Sequence, residues 1–91
     1  MDRRKNYFPE KSELKEATIQ ALKSFGGIAT TQQINLKVAE ILNLSDEVLT
    51  MEDESGLGTV YEYRMRWIRT ELKGKILNPK RGTWVLTDEK K

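Results

Sequence analysis

The chain of 91 residues contains neither cysteine nor histidine. Without cysteine there are no disulfides, thiol nucleophiles or cysteine-ligated metal sites. Without histidine the commonest general base is missing, so an enzyme would depend on carboxylates, lysines or hydroxyls alone. No apolar run approaches the ~18 residues of a membrane span, and the N-terminus lacks the apolar segment of a secretion signal. We expect a cytoplasmic domain with no catalytic residues, no metal, no cofactor and no membrane partner.

The charges are distributed unevenly along the chain. Residues 59–82 carry seven Lys or Arg and two acids, a net charge of +5. Residues 1–58 carry seven basic and ten acidic residues, a net charge of −3. The whole-chain charge of +2 therefore hides a basic segment, and such a segment is the electrostatic footprint of a domain that binds a polyanion such as nucleic acid.

Apolar periodicity and capping signals predict two helices in the first half of the chain, with a short strand between them. Pro9 is expected in the first turn of the first helix, which ends at Gly26-Gly27. Ile28-Ala29 is long enough for one short strand. Thr30 is expected to cap the second helix, with Gln33 completing a capping box. The expected buried face of this helix consists of Ile34, Val38, Ile41 and Leu42.

The second half predicts a third helix and a hairpin. A cap at Ser45 starts a brief turn, and an acidic, mobile loop with Glu52, Asp53 and Glu54 precedes the helix over 59–74. A basic turn, Pro79–Gly82, then joins two strands. The order is that of an α+β winged helix-turn-helix, with three helices and a small β-hairpin wing. The predicted divisions are a flexible basic lead-in at 1–8, the domain at 9–87 and a tail or start of a linker at 88–91.

The third helix is predicted to have an apolar arc and a basic stripe. Arg66, Arg69 and Lys73 fall opposite the arc, as does Glu62. Arg64 lies inside the arc, where we expect it to be partly buried and paired with Glu71. The residues of the expected arc are Val60, Tyr61, Met65, Trp67, Ile68 and Leu72. On the return strand, Trp84 and Leu86 share the face expected to pack inward.

Several motifs in this region occur in a characteristic order. Leu42–Glu47 reads LNLSDE, Arg64–Leu72 reads RMRWIRTEL, and Gly82–Thr87 reads GTWVLT. With these motifs the chain, over about residues 26–87, resembles the N-terminal winged-helix domain of the Mrr family of restriction endonucleases. That family has an "lgLSDE" segment, an "R-x-x-W-A-R-T-x-L" helix and a "G-x-W-x-x-T" strand. The chain departs from the family pattern at Ile68, where a small residue is usual, and in a shorter connection to the wing.

The resemblance implies a double-stranded DNA-binding module that guides a nuclease to modified, typically methylated, DNA. The nuclease itself would be a fused or separate domain, because its carboxylate-rich core is not in this sequence. Glu71-Leu72-Lys73 matches the E-x-K of many nucleases, but its helical setting favours a structural role. Two other functions fit the same fold, namely a free-standing transcription regulator and a winged helix that binds protein.

The candidate DNA contacts come from three places. On the third helix, Arg66 and Glu62 are expected to meet base edges, and Arg69 and Lys73 to hold phosphates. The wing tip would contact the backbone or the minor groove, and the start of the second helix would face a phosphate. A solvated surface is the alternative for each. The predicted contacts are Thr31, Gln32, Glu62, Tyr63, Arg66, Arg69, Thr70, Lys73, Lys80 and Arg81, with Tyr63 as the candidate for a methyl group or base.

Overall fold

The fold is known from a computed structural model that describes residues 8–52, 56 and 58–87. The elements in chain order are α1 (Lys11–Ser24), β1 (Ile28–Thr30), α2 (Thr31–Ile41), α3 (Asp46–Thr50), α4 (Val60–Glu71), β2 (Ile76–Lys80) and β3 (Thr83–Leu86). This confirms the predicted α+β winged helix, with four helices among the described residues instead of three, because the turn capped by Ser45 is helical. Residues 1–7 of the predicted 1–8 lead-in, acidic residues 53–54 and the predicted tail at 88–91 lie outside the described residues.

The strands form one antiparallel sheet in the order β1-β3-β2. Ile28 pairs with Val85 and Ala29 with Trp84, so β1 adds a third strand to the hairpin. The N–H of Thr31, the first residue of α2, also donates to the carbonyl of Gly82 at 3.0 Å. The sheet therefore connects the wing directly to the start of α2.

The wing is an irregular hairpin with a two-residue turn. The pairing of β2 with β3 shifts between Leu77 and Lys80, at the position of Pro79. β2 is an edge strand, where a missing proline N–H is tolerated. The side chain of Asn78 donates to the carbonyls of Lys80 and Thr83, at 2.8 and 2.6 Å. Asn78 thus joins the two strands where the proline interrupts them.

The core lies between the helices and the inner face of the sheet. Phe8, Trp84 and Leu86 are partly buried against it, so Phe8 is packed and does not belong to a loose lead-in. Ile41, expected in the core, is exposed at the end of α2. The larger fully buried side chains are Leu14, Leu22, Ile34, Val38, Val48, Met65 and Ile68.

Local side-chain bonds fix the starts of α2 and α4. At α2, Thr30 Oγ1 accepts from the N–H of Gln33 at 3.1 Å, and the Gln33 side chain accepts from the N–H of Thr30 at 2.9 Å. The predicted capping box is therefore confirmed. Thr59 and Glu62 form the same arrangement at α4, which confirms the predicted start of that helix.

Candidate nucleic-acid interface

The buried and exposed sides of α4 define the candidate surface. Its buried side consists of Tyr61, Met65, Ile68, Arg69 and the C-cap Leu72. At 100° per residue these positions span about 100° of the helix. The centre of the opposite, exposed side then falls at Tyr63 and Thr70, flanked by Arg66 and Trp67.

This orientation corrects two predictions about α4. Trp67, expected in the core, is 51% exposed, and Arg69, expected opposite the core, is 8% exposed. Arg69 is drawn inward because partners on α2 and β3 receive its guanidinium. The helical periodicity alone placed the apolar arc several tens of degrees too far towards Trp67. Arg69 therefore does not lie in a surface stripe with Arg66 and Lys73.

Tyr63 and Trp67 form an aromatic pair on the exposed side of α4. Their ring centres are 6.3 Å apart and the rings meet edge to face at 73°. Tyr63 is 52% exposed and Trp67 51%. The two rings therefore form one exposed apolar patch on this face of the helix. Sequence analysis missed Trp67, although its spacing of four residues from Tyr63 already places the two on one face.

A groove of about 440 Å³ lies beside this pair, between α1 and α4. Its lining combines apolar side chains with the charged groups of Lys11, Arg64 and Glu71. The aromatic pair forms part of its wall. The complete lining is Lys11, Leu14, Val60, Tyr63, Arg64, Trp67, Ile68 and Glu71.

The predicted pairing of Arg64 with Glu71 is wrong. Arg64 is exposed, and its guanidinium lies 5.1 Å from the centre of the Phe8 ring. Glu71 instead pairs with Lys15 at 3.1 Å and Lys11 at 3.2 Å. Hydrogen bonds from these two lysines lower the pKa of Glu71. Glu71 therefore joins α4 to α1.

Arg69 lies in a polar cluster between α2, α4 and β3. Its Nη1 donates to Asn35 Oδ1 at 2.9 Å, and its guanidinium carbon lies 5.4 Å from the centre of the Trp84 ring. Its Nε is buried without a hydrogen-bond partner among the described residues. Burial lowers the pKa of Arg69, opposed by the nearby Tyr61, although an arginine stays protonated.

Tyr61 and Thr31 complete this group, which we call the wing-anchoring cluster (Thr31, Asn35, Tyr61, Arg69 and Trp84). The Tyr61 hydroxyl donates to the carbonyl of Asn35 at 2.6 Å, and burial raises the pKa of Tyr61. Trp84 Nε1 donates to Thr31 Oγ1 at 2.8 Å. The Thr31 side chain and N–H thus both have partners inside the protein, whereas Gln32 beside it is exposed.

The other predicted contacts are exposed, in two places. Arg66 and Thr70 lie on the outer side of α4, Lys73 follows its C-cap, and Lys80 and Arg81 lie at the wing tip. The Thr70 hydroxyl donates to the carbonyl of Arg66 at 3.1 Å. Glu62 is also exposed, but one of its oxygens accepts from the N–H of Thr59 at 3.4 Å.

The described residues contain neither a membrane-spanning helix nor a metal-binding cluster. None of their helices combines the length and apolar character needed to cross a bilayer, and they include no cluster of acidic side chains arranged to hold a metal ion.

The whole chain was also compared with known proteins. Neither the curated proteins nor the solved structures gave a match. A family model described as the Mrr N-terminal domain matches residues 12–91. This match begins in the first turn of α1, extends through β3 and includes every predicted contact residue. The chain therefore belongs to the family of Mrr N-terminal domains.

Proposed function

We propose that this domain binds double-stranded DNA and recognises modified DNA for a restriction endonuclease. In this proposal α4 enters the major groove, and the wing of β2 and β3 contacts the backbone or the minor groove. The observation that carries the proposal is the outer side of α4, where the aromatic pair lies beside Arg66 and Thr70. The family supports the restriction setting, with a fused or separate nuclease domain supplying catalysis.

Charge supports a polyanion as the ligand. Arg66 flanks the centre of the exposed side of α4, where its guanidinium can bond bidentately to a guanine. Lys73, Lys80 and Arg81 lie towards the end of the helix and on the wing, where they suit phosphates. Arg69 is removed from this set because its guanidinium is buried. With Arg66 on a base, these three phosphate neutralisations give a slope of log K against log salt of roughly −3.

The aromatic pair supports contact with a methyl group or a base. The major groove displays the adenine N6 position and the pyrimidine C5 position, so a methyl group on either projects towards an inserted helix. Tyr63 and Trp67 offer half-exposed apolar surface on the side of α4 that would face it. We therefore infer that this pair distinguishes methylated from unmodified DNA.

Glu62 and the start of α2 have smaller roles in the proposal. One Glu62 oxygen belongs to the capping box, so a bond to a cytosine amino group would use the other. At α2 the exposed Gln32 is the better candidate for a phosphate, because the hydroxyl of Thr31 is already engaged by Trp84.

A protein partner is the second candidate, and the apolar groove between α1 and α4 is the observation that favours it. A free-standing transcription regulator would use the same surface as the leading proposal. Both alternatives are separated from it by the experiment below.

The test is fluorescence anisotropy with matched duplex pools that are unmodified, N6-methyladenine-containing or C5-methylcytosine-containing. Each pool is titrated at low and at physiological salt. Tighter binding of one modified pool, with the expected salt slope, supports the proposal and names the mark. Binding without preference favours a regulator or a general DNA-docking domain. Absence of binding to every pool at low salt overturns DNA binding and leaves the protein partner.

Two substitutions test the docking geometry. Arg66→Ala should weaken the preferred duplex by ~1–3 kcal/mol and reduce sequence preference, whereas Lys80→Ala should weaken all duplexes about equally. An equal effect of Arg66→Ala on all duplexes would show that Arg66 contacts the backbone, and α4 would then not be placed as proposed.

A further inference from the structure

We propose that Trp84 and Arg69 are positioning residues that hold the wing at a fixed place relative to the DNA-reading side of α4. This inference rests on the proposed function and concerns how its two contact regions act together. It is carried by an unbroken series of contacts that runs from α4 through α2 to the wing tip.

The wing needs support beyond its own strands. A two-stranded hairpin is marginally stable by itself, and the pairing of β2 with β3 is irregular near the tip. β1 contributes three residues of pairing to β3. At the tip itself, the Gly82 carbonyl accepts from the N–H of Thr31 at 3.0 Å. The position of Lys80 and Arg81 therefore depends on the contact between the tip and the start of α2.

Trp84, which lies on β3 two residues after Gly82, reinforces this contact between the wing tip and the start of α2. Its Nε1 donates to Thr31 Oγ1 at 2.8 Å, and the indole N–H is the only polar donor of this side chain. Thr31 consequently contacts the wing twice, through its N–H and through its hydroxyl. This pair of bonds orients the tip as well as attaching it.

Arg69 connects the same region to α4. It lies over the Trp84 ring at 5.4 Å, and Nη1 donates to Asn35, one helical turn beyond Thr31 on α2. Arg69 also follows Arg66 by three residues on the same helix. A rotation of α4 that moved Arg66 within the DNA major groove would therefore disturb two contacts of Arg69, one with Asn35 on α2 and one with Trp84 on the wing.

The chemistry of Arg69 favours this role over simple packing. Burial of a charged group is costly, and an apolar side chain of similar volume is often as stabilising. Arg69 is 8% exposed, with its Nε unpartnered among the described residues. Its planar guanidinium does, however, bond in a fixed direction to Asn35 while it lies over the Trp84 ring. An apolar residue at position 69 would lack this directional link between α2, α4 and β3.

The consequence for binding is cooperation between wing and helix. A wing held in place before binding loses less conformational freedom when it meets DNA, so its cations contribute more to affinity. A released wing should contribute less, even though Lys80 and Arg81 are unchanged.

The experiment is a double-mutant cycle on DNA affinity with Trp84→Phe and Lys80→Ala. Phenylalanine keeps a ring near Arg69 and removes the donor to Thr31. In the wild type, Lys80→Ala should weaken binding roughly twofold to fivefold, as for an exposed charge pair. In the Trp84→Phe background this factor should approach one. The matched control is Thr87→Val, which removes a hydroxyl that bonds to Gly74 and Lys75 carbonyls at the base of the wing, and it should leave the Lys80→Ala factor unchanged.

Two further measurements separate positioning from general destabilisation. Thr31→Ser keeps the acceptor and should preserve the Lys80→Ala factor, whereas Thr31→Val should reduce it as Trp84→Phe does. Without DNA, hydrogen exchange at the Thr31 N–H should accelerate in Trp84→Phe and not in Thr87→Val. An equal Lys80→Ala factor in the wild-type and Trp84→Phe backgrounds overturns the inference while leaving the proposed function intact. Failure of the wild type to bind any duplex overturns the proposed function instead, and the exchange result still reports whether Trp84 holds the wing tip.

Discussion

Replacement of Trp67 with alanine distinguishes an aromatic side chain on a binding surface from one in the core. Truncation of a buried aromatic residue costs ~3–5 kcal/mol. Trp67 is 51% exposed, so roughly 100 Å² of the 150–250 Å² that a buried aromatic covers is shielded from water. At ~25 cal/mol per Å² this area corresponds to at most about 2.5 kcal/mol. Alanine recovers ~0.5 kcal/mol of helix propensity. We expect a net loss of about 1–2 kcal/mol.

The free energy of unfolding is measured by urea titration with circular dichroism, and DNA affinity by anisotropy on the preferred duplex. Trp67→Ala should weaken affinity about tenfold or more, which is ~1.4 kcal/mol. The control is Met65→Ala, on the buried side of the same helix. Met65 is 0% exposed, so its truncation should cost ~2–5 kcal/mol of stability. The affinity of the folded Met65→Ala protein should change little.

Two results would refute the reasoning. A stability loss for Trp67→Ala as large as that for Met65→Ala would place Trp67 in the core and α4 in another rotation. A small stability loss with unchanged DNA affinity would show that the aromatic pair lies off the binding surface, although α4 has the described orientation.

Three further predictions concern stability. Burial raises the pKa of Tyr61 above its ordinary value of about 10, so the contribution of Tyr61 to stability is full below that pH and lost above it. Urea titrations at about pH 9 and 11 should show a larger loss of unfolding free energy in the wild type than in Tyr61→Phe, and equal losses would contradict this. The pKa of Glu71 is lowered, so the contribution of Glu71 to stability is present above about pH 4.3 and lost as the pH falls through the lowered pKa. In thermal melts at acid pH, Glu71→Gln should remove that part of the pH dependence of the melting temperature, and an unchanged dependence would count against the ion pairs. Gly82 has a φ of 79° and open space around its Cα, so Gly82→Ala should lower the free energy of unfolding by ~1–2 kcal/mol through backbone strain alone. An unchanged urea midpoint would mean that the turn relaxes.

The features that the sequence predicted correctly depend on near neighbours. The capping box of Thr30 and Gln33 and the start of α4 at Thr59 involve bonds between residues three apart. The glycines after α1 likewise end that helix through local backbone geometry. Such signals lie within one turn, so the order of the elements follows from them. The pairing of β1 with β3 joins residues more than fifty positions apart, and no local pattern specifies it.

The orientation of α4 was predicted incorrectly because distant residues decide it. A helix that contains Tyr61, Tyr63, Trp67 and several arginines has amphipathic side chains on most of its surface. Apolar periodicity then leaves the rotation of α4 about its own axis undetermined within several tens of degrees. Asn35 and Trp84 select the observed rotation by receiving the Arg69 guanidinium. The same contacts explain why Arg66, Arg69 and Lys73 do not form a continuous surface stripe along α4.

The inward position of Arg69 also changes where affinity for DNA would originate. With Arg69 buried, two of the predicted contacts on α4 and just after it keep an exposed positive charge, Arg66 and Lys73, and Lys80 and Arg81 at the wing tip match them in number. About half of the expected electrostatic attraction then depends on a hairpin whose position is set by Trp84 and Thr31. Loss of the Trp84 bond should therefore reduce the magnitude of the salt slope by up to ~2, without removal of any charge. An unchanged salt slope in Trp84→Phe would show that Lys80 and Arg81 reach the phosphates without the bond from Trp84 to Thr31.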